Sequence, residues 1–191
     1  MEKLDSLNVC VEKGLTYMAK KAEARTHAFE VGQSVVYPAH GVGKITGIES
    51  QTVAGMQLEV YVVAFDQDKM ILRVPTNRAE ASGMRALAGS KLVDDALKTL
   101  GGKARIKRTM WSRRAQEYEA KINSGDLISI AEVVRDLHRG DDQPEQSYSE
   151  RQLYESALDR MARELAAVEN IDKGKAMEKL AKSLAKKKIA A

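Results

Sequence analysis

The chain has a single cysteine, Cys10, in 191 residues. One thiol excludes an internal disulfide and a cysteine-rich zinc site, and points to a reducing, cytoplasmic setting. Long apolar runs are missing too. The longest, Val60 to Phe65, is six residues, far too short for a membrane span or the apolar core of a signal peptide. Histidine is scarce: His27, His40 and His138 fall in three different predicted segments with no metal-ligand spacing between any two, so each reads as structural or solvent-facing. Catalytic signatures are also lacking. No Ser, Cys or Thr stands in a nucleophile elbow, and the carboxylates are spread through helical stretches as i, i+4 partners of Lys and Arg. Gly43-Lys44 and Gly102-Lys103 fail as phosphate loops, because Pro38 and Leu97 stand where the upstream glycine is required, and Ile45 and Ala104 where a hydroxyl must follow. The expectation is a protein that is not an enzyme, with no cofactor, no metal and no small-molecule substrate.

What is present is positive charge gathered in one place. Lys plus Arg number 31 against 27 Asp plus Glu, a modest net charge of +4, yet residues 89 to 140 alone carry an excess of +4 while residues 29 to 88 sum to −1. Such an asymmetry is expected when one surface faces a polyanion. The stretch from Lys98 to Arg114 holds Lys98, Lys103, Arg105, Lys107, Arg108, Arg113 and Arg114 with no acid among them, and contains the only tryptophan, Trp111. A planar apolar side chain flanked by cations suits insertion beside bases while the cations hold phosphates. A core tryptophan surrounded by solvated charges fits the same residues, since Trp is highly buried on average.

Residues 1 to 28 have apolar positions Leu4, Leu7, Val11, Leu15 and Met18 at helical spacing, broken by Gly14 and followed by a polar run. A short helix and a frayed tail both fit, and the reading taken is an N-terminal extension that is a flexible tail, because an isolated helix of this length is marginal. From Phe29 the pattern is β. Val35-Val36-Tyr37 precedes the turn signal Pro38-Ala39-His40-Gly41, a long strand runs to Ala54-Gly55, and two more strands follow on either side of Asp66-Gln67-Asp68-Lys69. Four or five short strands within residues 29 to 88 predict a small antiparallel barrel, closed so as to remove its edges. Residues 89 to 191 read as helical. Leu92, Val93, Ala96, Leu97 and Leu100 form one apolar face stopped by Gly101-Gly102, and a second helix is predicted from near Thr109 to Asn123. Ser129 and Glu132 fit a capping box for a third. After the acidic, proline-containing linker Asp141 to Glu145, Ser147 and Glu150 start a long helix to about Asn170, and a last one begins near Asp172. Lys186-Lys187-Lys188 then reads as a solvated helix cap.

Six blocks in order resemble the bacterial CarD/CdnL family of transcription regulators. They are Val35-Val36-Tyr37-Pro38-Ala39-His40-Gly41-Val42-Gly43, Arg73-Val74-Pro75, Ser82-Gly83-Met84-Arg85, Trp111-Ser112-Arg113-Arg114, Ser124-Gly125-Asp126 and Glu132-Val133-Val134-Arg135-Asp136-Leu137. The resemblance implies an α+β fold, a Tudor-like antiparallel β-barrel followed by a compact all-α domain. It further implies that the barrel binds the RNA polymerase β subunit through Gln51, Thr52, Val53 and Arg73. The helical domain would contact promoter DNA, largely without base readout, through Lys103, Arg105, Lys107, Arg108, Arg113 and Arg114, with Trp111 a minor-groove wedge that prolongs the open promoter complex. Some members of the family carry a basic residue at the place of Gln51. The competing expectation is a protein-interaction adaptor with a buried Trp111 and no DNA contact.

Overall fold

In a computed structural model the described residues are 27–53, 55–140 and 145–185, with Val53 described in its backbone only. The expectations for the N-terminal extension, for the linker at 141–144 and for the terminal lysines therefore lie outside the described residues, apart from 27 and 28. The chain divides into two units, Met1–Glu30 and Val31–Ala191.

Alternating apolar positions build one antiparallel sheet. Its strands are β1 (Ser34–Tyr37), β2 (Gly41–Val53), β3 (Met56–Phe65), β4 (Met70–Pro75) and β5 (Arg85–Ala86), in the order β4-β3-β2-β1-β5. Tyr61, Val63 and Phe65 of β3, with Ile45 of β2 and Val35 of β1, are buried at the centre of one face. Gly43 is required beneath them, since a Cβ there would stand 2.7 Å from Val63 Cγ1 and 2.8 Å from Phe65 Cε1. Register shifts between Ile45 and Gly47, where the β2 ladder passes from Val63 to Val62. The extra residue, Thr46, donates its hydroxyl to the Val62 carbonyl at 3.1 Å, and such a bulge adds bend and twist.

The expected closure into a barrel is not observed. The sheet stays open, with β4 and β5 as its edges. β5 offers only Arg85 and Ala86, which pair with β1, and the chain between β4 and β5 is occupied by the 3-10 turn Thr76–Arg78 and the turn at Gly83. The edges are managed instead by brevity at β5 and by Pro75 at the end of β4.

Five helices follow: α1 (Ser90–Leu100), α2 (Trp111–Asn123), α3 (Leu127–Leu137), α4 (Tyr148–Glu169) and α5 (Lys173–Ala185). α3 is the most buried of them. Leu127, Ile130, Ala131, Val133, Val134 and Leu137 all lie in a core shared with Val93, Ala96 and Leu100 of α1, Met161 and Leu165 of α4, and Leu180 and Leu184 of α5. The Ser129 capping box is replaced by an earlier start. Asp126 caps the helix, accepting from the Ser129 amide at 2.9 Å and its hydroxyl at 2.7 Å, and Glu132 pairs with Lys121. Starting at Leu127 brings that side chain into the core, which Ser129 as the cap would forgo. Burial works to raise the Asp126 carboxyl, but the hydrogen bonds from Ser129 and Ile128 outweigh it and hold the group below the usual carboxylate range. At α4 both halves of the Ser147 and Glu150 capping box form, and Asn170 ends the helix at φ 52°.

Candidate functional site: a basic wedge, a sheet face and the joint between them

Between α1 and α2 the chain crosses the surface as an irregular segment carrying Lys103, Arg105, Lys107 and Arg108, all exposed. One backbone contact anchors it. The Arg105 amide donates to Asp136 Oδ1 at 2.9 Å, and the same buried oxygen accepts from Arg135 Nε at 2.8 Å. Asp136 thus fixes the backbone of the segment while the Arg105 side chain stays exposed. Lys107 is paired with Glu117 of α2 at 2.7 Å, and its ammonium holds the Glu117 carboxyl below its usual range. Lys98, in the last turn of α1, is occupied by Asp95 at 3.0 Å.

Trp111 is the first residue of α2 and is half-buried. Its ring packs against the helical core, 6.4 Å from the Tyr118 ring and tilted by 50° to it. The Arg114 guanidinium lies 5.6 Å from the indole centroid, within cation–π range. Arg114 Nε is buried with no hydrogen-bond partner, whereas Arg113 is exposed. The residue before the tryptophan carries no sequence signal of its own. Met110 is 80% exposed and Ile106 is 40% exposed, so apolar surface accompanies the cations.

On the sheet, Gln51 and Arg73 are brought together through Glu49. Arg73 Nε donates to Glu49 Oε2 at 3.2 Å and Gln51 Nε2 to the same oxygen at 3.5 Å. Thr52 is exposed but stands at the alternate strand position, so it does not share that face. The Val53 side chain lies outside the described residues. Ile71, two residues from Arg73 on β4 and therefore on its face, is 60% exposed, and Met56 at the start of β3 is 64% exposed. Neither was singled out by the sequence.

The sheet and the helices meet around Pro38. Gly83, with φ +82°, would put a Cβ 2.7 Å from Pro38 Cγ, and Gly125, with φ +71°, would put one 3.3 Å from Pro38 Cα. Arg85 of β5 donates to the Gly125 carbonyl from Nε and Nη2 and grips Glu164 of α4 in a fork, at 2.7 and 2.9 Å. Glu164 is almost wholly buried and also accepts from the Ala88 amide at 3.2 Å. Arg160, one turn earlier on α4, donates to the carbonyls of Pro38, Ala39 and Ile122. Planar guanidinium forks suit such multiple acceptors. Three of the six sequence blocks, those at Pro38, Gly83 and Gly125, therefore converge on this joint. Among the described residues no His, Cys, Asp or Glu group could hold a metal ion, and no helix is long and apolar enough to cross a membrane.

Two family descriptions match in tandem: the CarD-like/TRCF RID domain over residues 29–88 and the CarD C-terminal domain over residues 95–181. A relative named "Putative transcription factor YdeB", from Bacillus subtilis (strain 168), is 26% identical over 143 residues, 75% of this chain and 94% of that protein. The class defined by an antiparallel sheet of the first kind joined to a helical bundle of the second is that of transcription regulators. The chain belongs to the CarD/CdnL family within it.

Proposed function

We propose that this protein docks on the β subunit of RNA polymerase through residues 29–88 and stabilises the promoter open complex through contacts of residues 89–191 with DNA at the upstream edge of the melted region. Trp111 is the wedge, and Lys103, Arg105, Lys107, Arg108, Arg113 and Arg114 supply the phosphate contacts. Gln51 and Arg73, which share a face through Glu49, belong to the polymerase surface, with Thr52 and Val53 following at the end of β2. The protein acts in the cytoplasm and is not an enzyme.

The observation that carries this reading is a partly buried tryptophan opening a helix, flanked by exposed Lys107, Arg108 and Arg113 and by an exposed apolar methionine. A few cations bind duplex DNA non-specifically with dissociation constants of about 10⁻⁴ to 10⁻⁶ M at physiological salt, too weak to find promoters unaided. A polymerase tether makes DNA contact intramolecular at an effective concentration on the order of millimolar, provided the linkage holds the right geometry. The Arg85, Glu164 and Arg160 joint supplies such a linkage. Wedging costs a few kcal/mol of unstacking on intact duplex and less where the duplex is already distorted, so the tethered wedge favours melted promoters.

The adaptor reading draws on the packing of Trp111 against Tyr118. The two separate by experiment: open-complex lifetime on a promoter, measured with and without the protein, lengthens under the first reading and is unchanged under the second.

A further inference from the structure

We infer that Met110 is a DNA-wedging residue in its own right, the leading tip of the surface whose base is Trp111. The inference rests on the function proposed above and adds a residue to it. Met110 occupies the N-cap of α2, with φ −58° and ψ 147°, and no side chain caps that helix. Its carbonyl accepts the Arg113 and Arg114 amides, each at 3.2 Å, so the backbone is fixed while the side chain is 80% exposed. Methionine is a poor choice on both counts. Asn, Asp or Ser at this position would satisfy free amides of the first turn, and a long apolar side chain gains nothing from water.

Trp111, by contrast, is restrained by Tyr118, 6.4 Å from its ring, and by Arg114, 5.6 Å from its centroid. Met110 stands outside that packing. Ile106 adds a second exposed apolar group, and Lys107, Arg108 and Arg113 place exposed cations before and after. Apolar tip and cationic flanks together match an unstacked base step between phosphates, and methionine is among the side chains that wedge such steps. A greasy pocket on a protein partner would not call for cations on both flanks.

The test compares wild type, Met110→Asn and Met110→Leu as full-length proteins with RNA polymerase on one promoter. Met110→Asn installs a cap, so its thermal midpoint should rise by about 2 to 4 °C. Its affinity for polymerase should be unchanged, and the open complex it supports should decay about tenfold faster than with wild type, towards the lifetime without the protein. Met110→Leu should retain the wild-type lifetime. A residue with only a structural role would move stability and lifetime in the same direction. A wild-type lifetime for Met110→Asn would overturn the inference and leave the proposed function standing. Loss of polymerase binding by Met110→Asn would assign the side chain to a protein pocket and overturn it too. If the wild-type protein itself fails to lengthen the open complex, both the inference and the proposed function fall.

Discussion

The two candidate surfaces treat their charges in opposite ways. At the start of α2, Asp136 fixes the segment through a backbone amide and leaves the Arg105 side chain exposed, and Arg108 and Arg113 are exposed beside it. On the sheet, Arg73 and Gln51 are both turned onto Glu49, and the neighbouring exposure is apolar, at Ile71 and Met56. The first arrangement leaves Arg105, Arg108 and Arg113 exposed for a polyanion, with Lys107 held by Glu117. The second offers a partly neutralised, partly apolar face of the kind protein interfaces use. Under the proposed function the first surface meets DNA and the second meets protein.

The largest effect is expected where the two surfaces are tied together. Glu164→Ala would leave Arg85 without its forked partner and the Ala88 amide without an acceptor, at a cost of about 3 kcal/mol in denaturant unfolding. A change under about 1 kcal/mol would mean that the joint carries little of the stability. Next comes Arg73→Glu, which sets a second carboxylate beside Glu49 on an exposed face. It should weaken polymerase binding by about tenfold or more while shifting stability by less than about 1 kcal/mol, because the pair it removes is solvent-screened. Normal polymerase affinity would remove Arg73 from the interface. The most graded test is ionic strength. If about four cations of the basic stretch reach phosphate, the log of the DNA association constant should fall against log salt with a slope of about −3.6, and Arg73→Glu should leave that slope alone. A flat dependence would erase the difference between the two surfaces.

Much of this molecule was legible in its sequence because much of it is local. Alternation marked the strands, helical spacing marked α1 to α5, and Ser147 with Glu150 marked the start of α4. What escaped depends on distance or competition. Closure of the sheet fails because β5 is two residues long, which no strand pattern reveals. Asp126 displaced Ser129 as a cap because Leu127 gains burial, a tertiary preference over a local motif. Arg85 and Glu164 are 79 residues apart, and Arg160 and Pro38 are 122 apart. The basic stretch was visible as composition, but Met110 was not, since a methionine beside a tryptophan reads as core until its exposure is known.

If Trp111 acts on DNA and not chiefly as core, the difference shows in the decay of a promoter open complex with Trp111→Ala. Being half-buried, the indole should cost no more than about 2 kcal/mol to remove, below the roughly 3 to 5 kcal/mol of a core tryptophan. The expected variant is folded and binds polymerase as tightly as wild type, yet leaves the open complex with a lifetime close to that without the protein. A variant that melts far below wild type and loses polymerase binding as well would contradict this expectation and return Trp111 to the core.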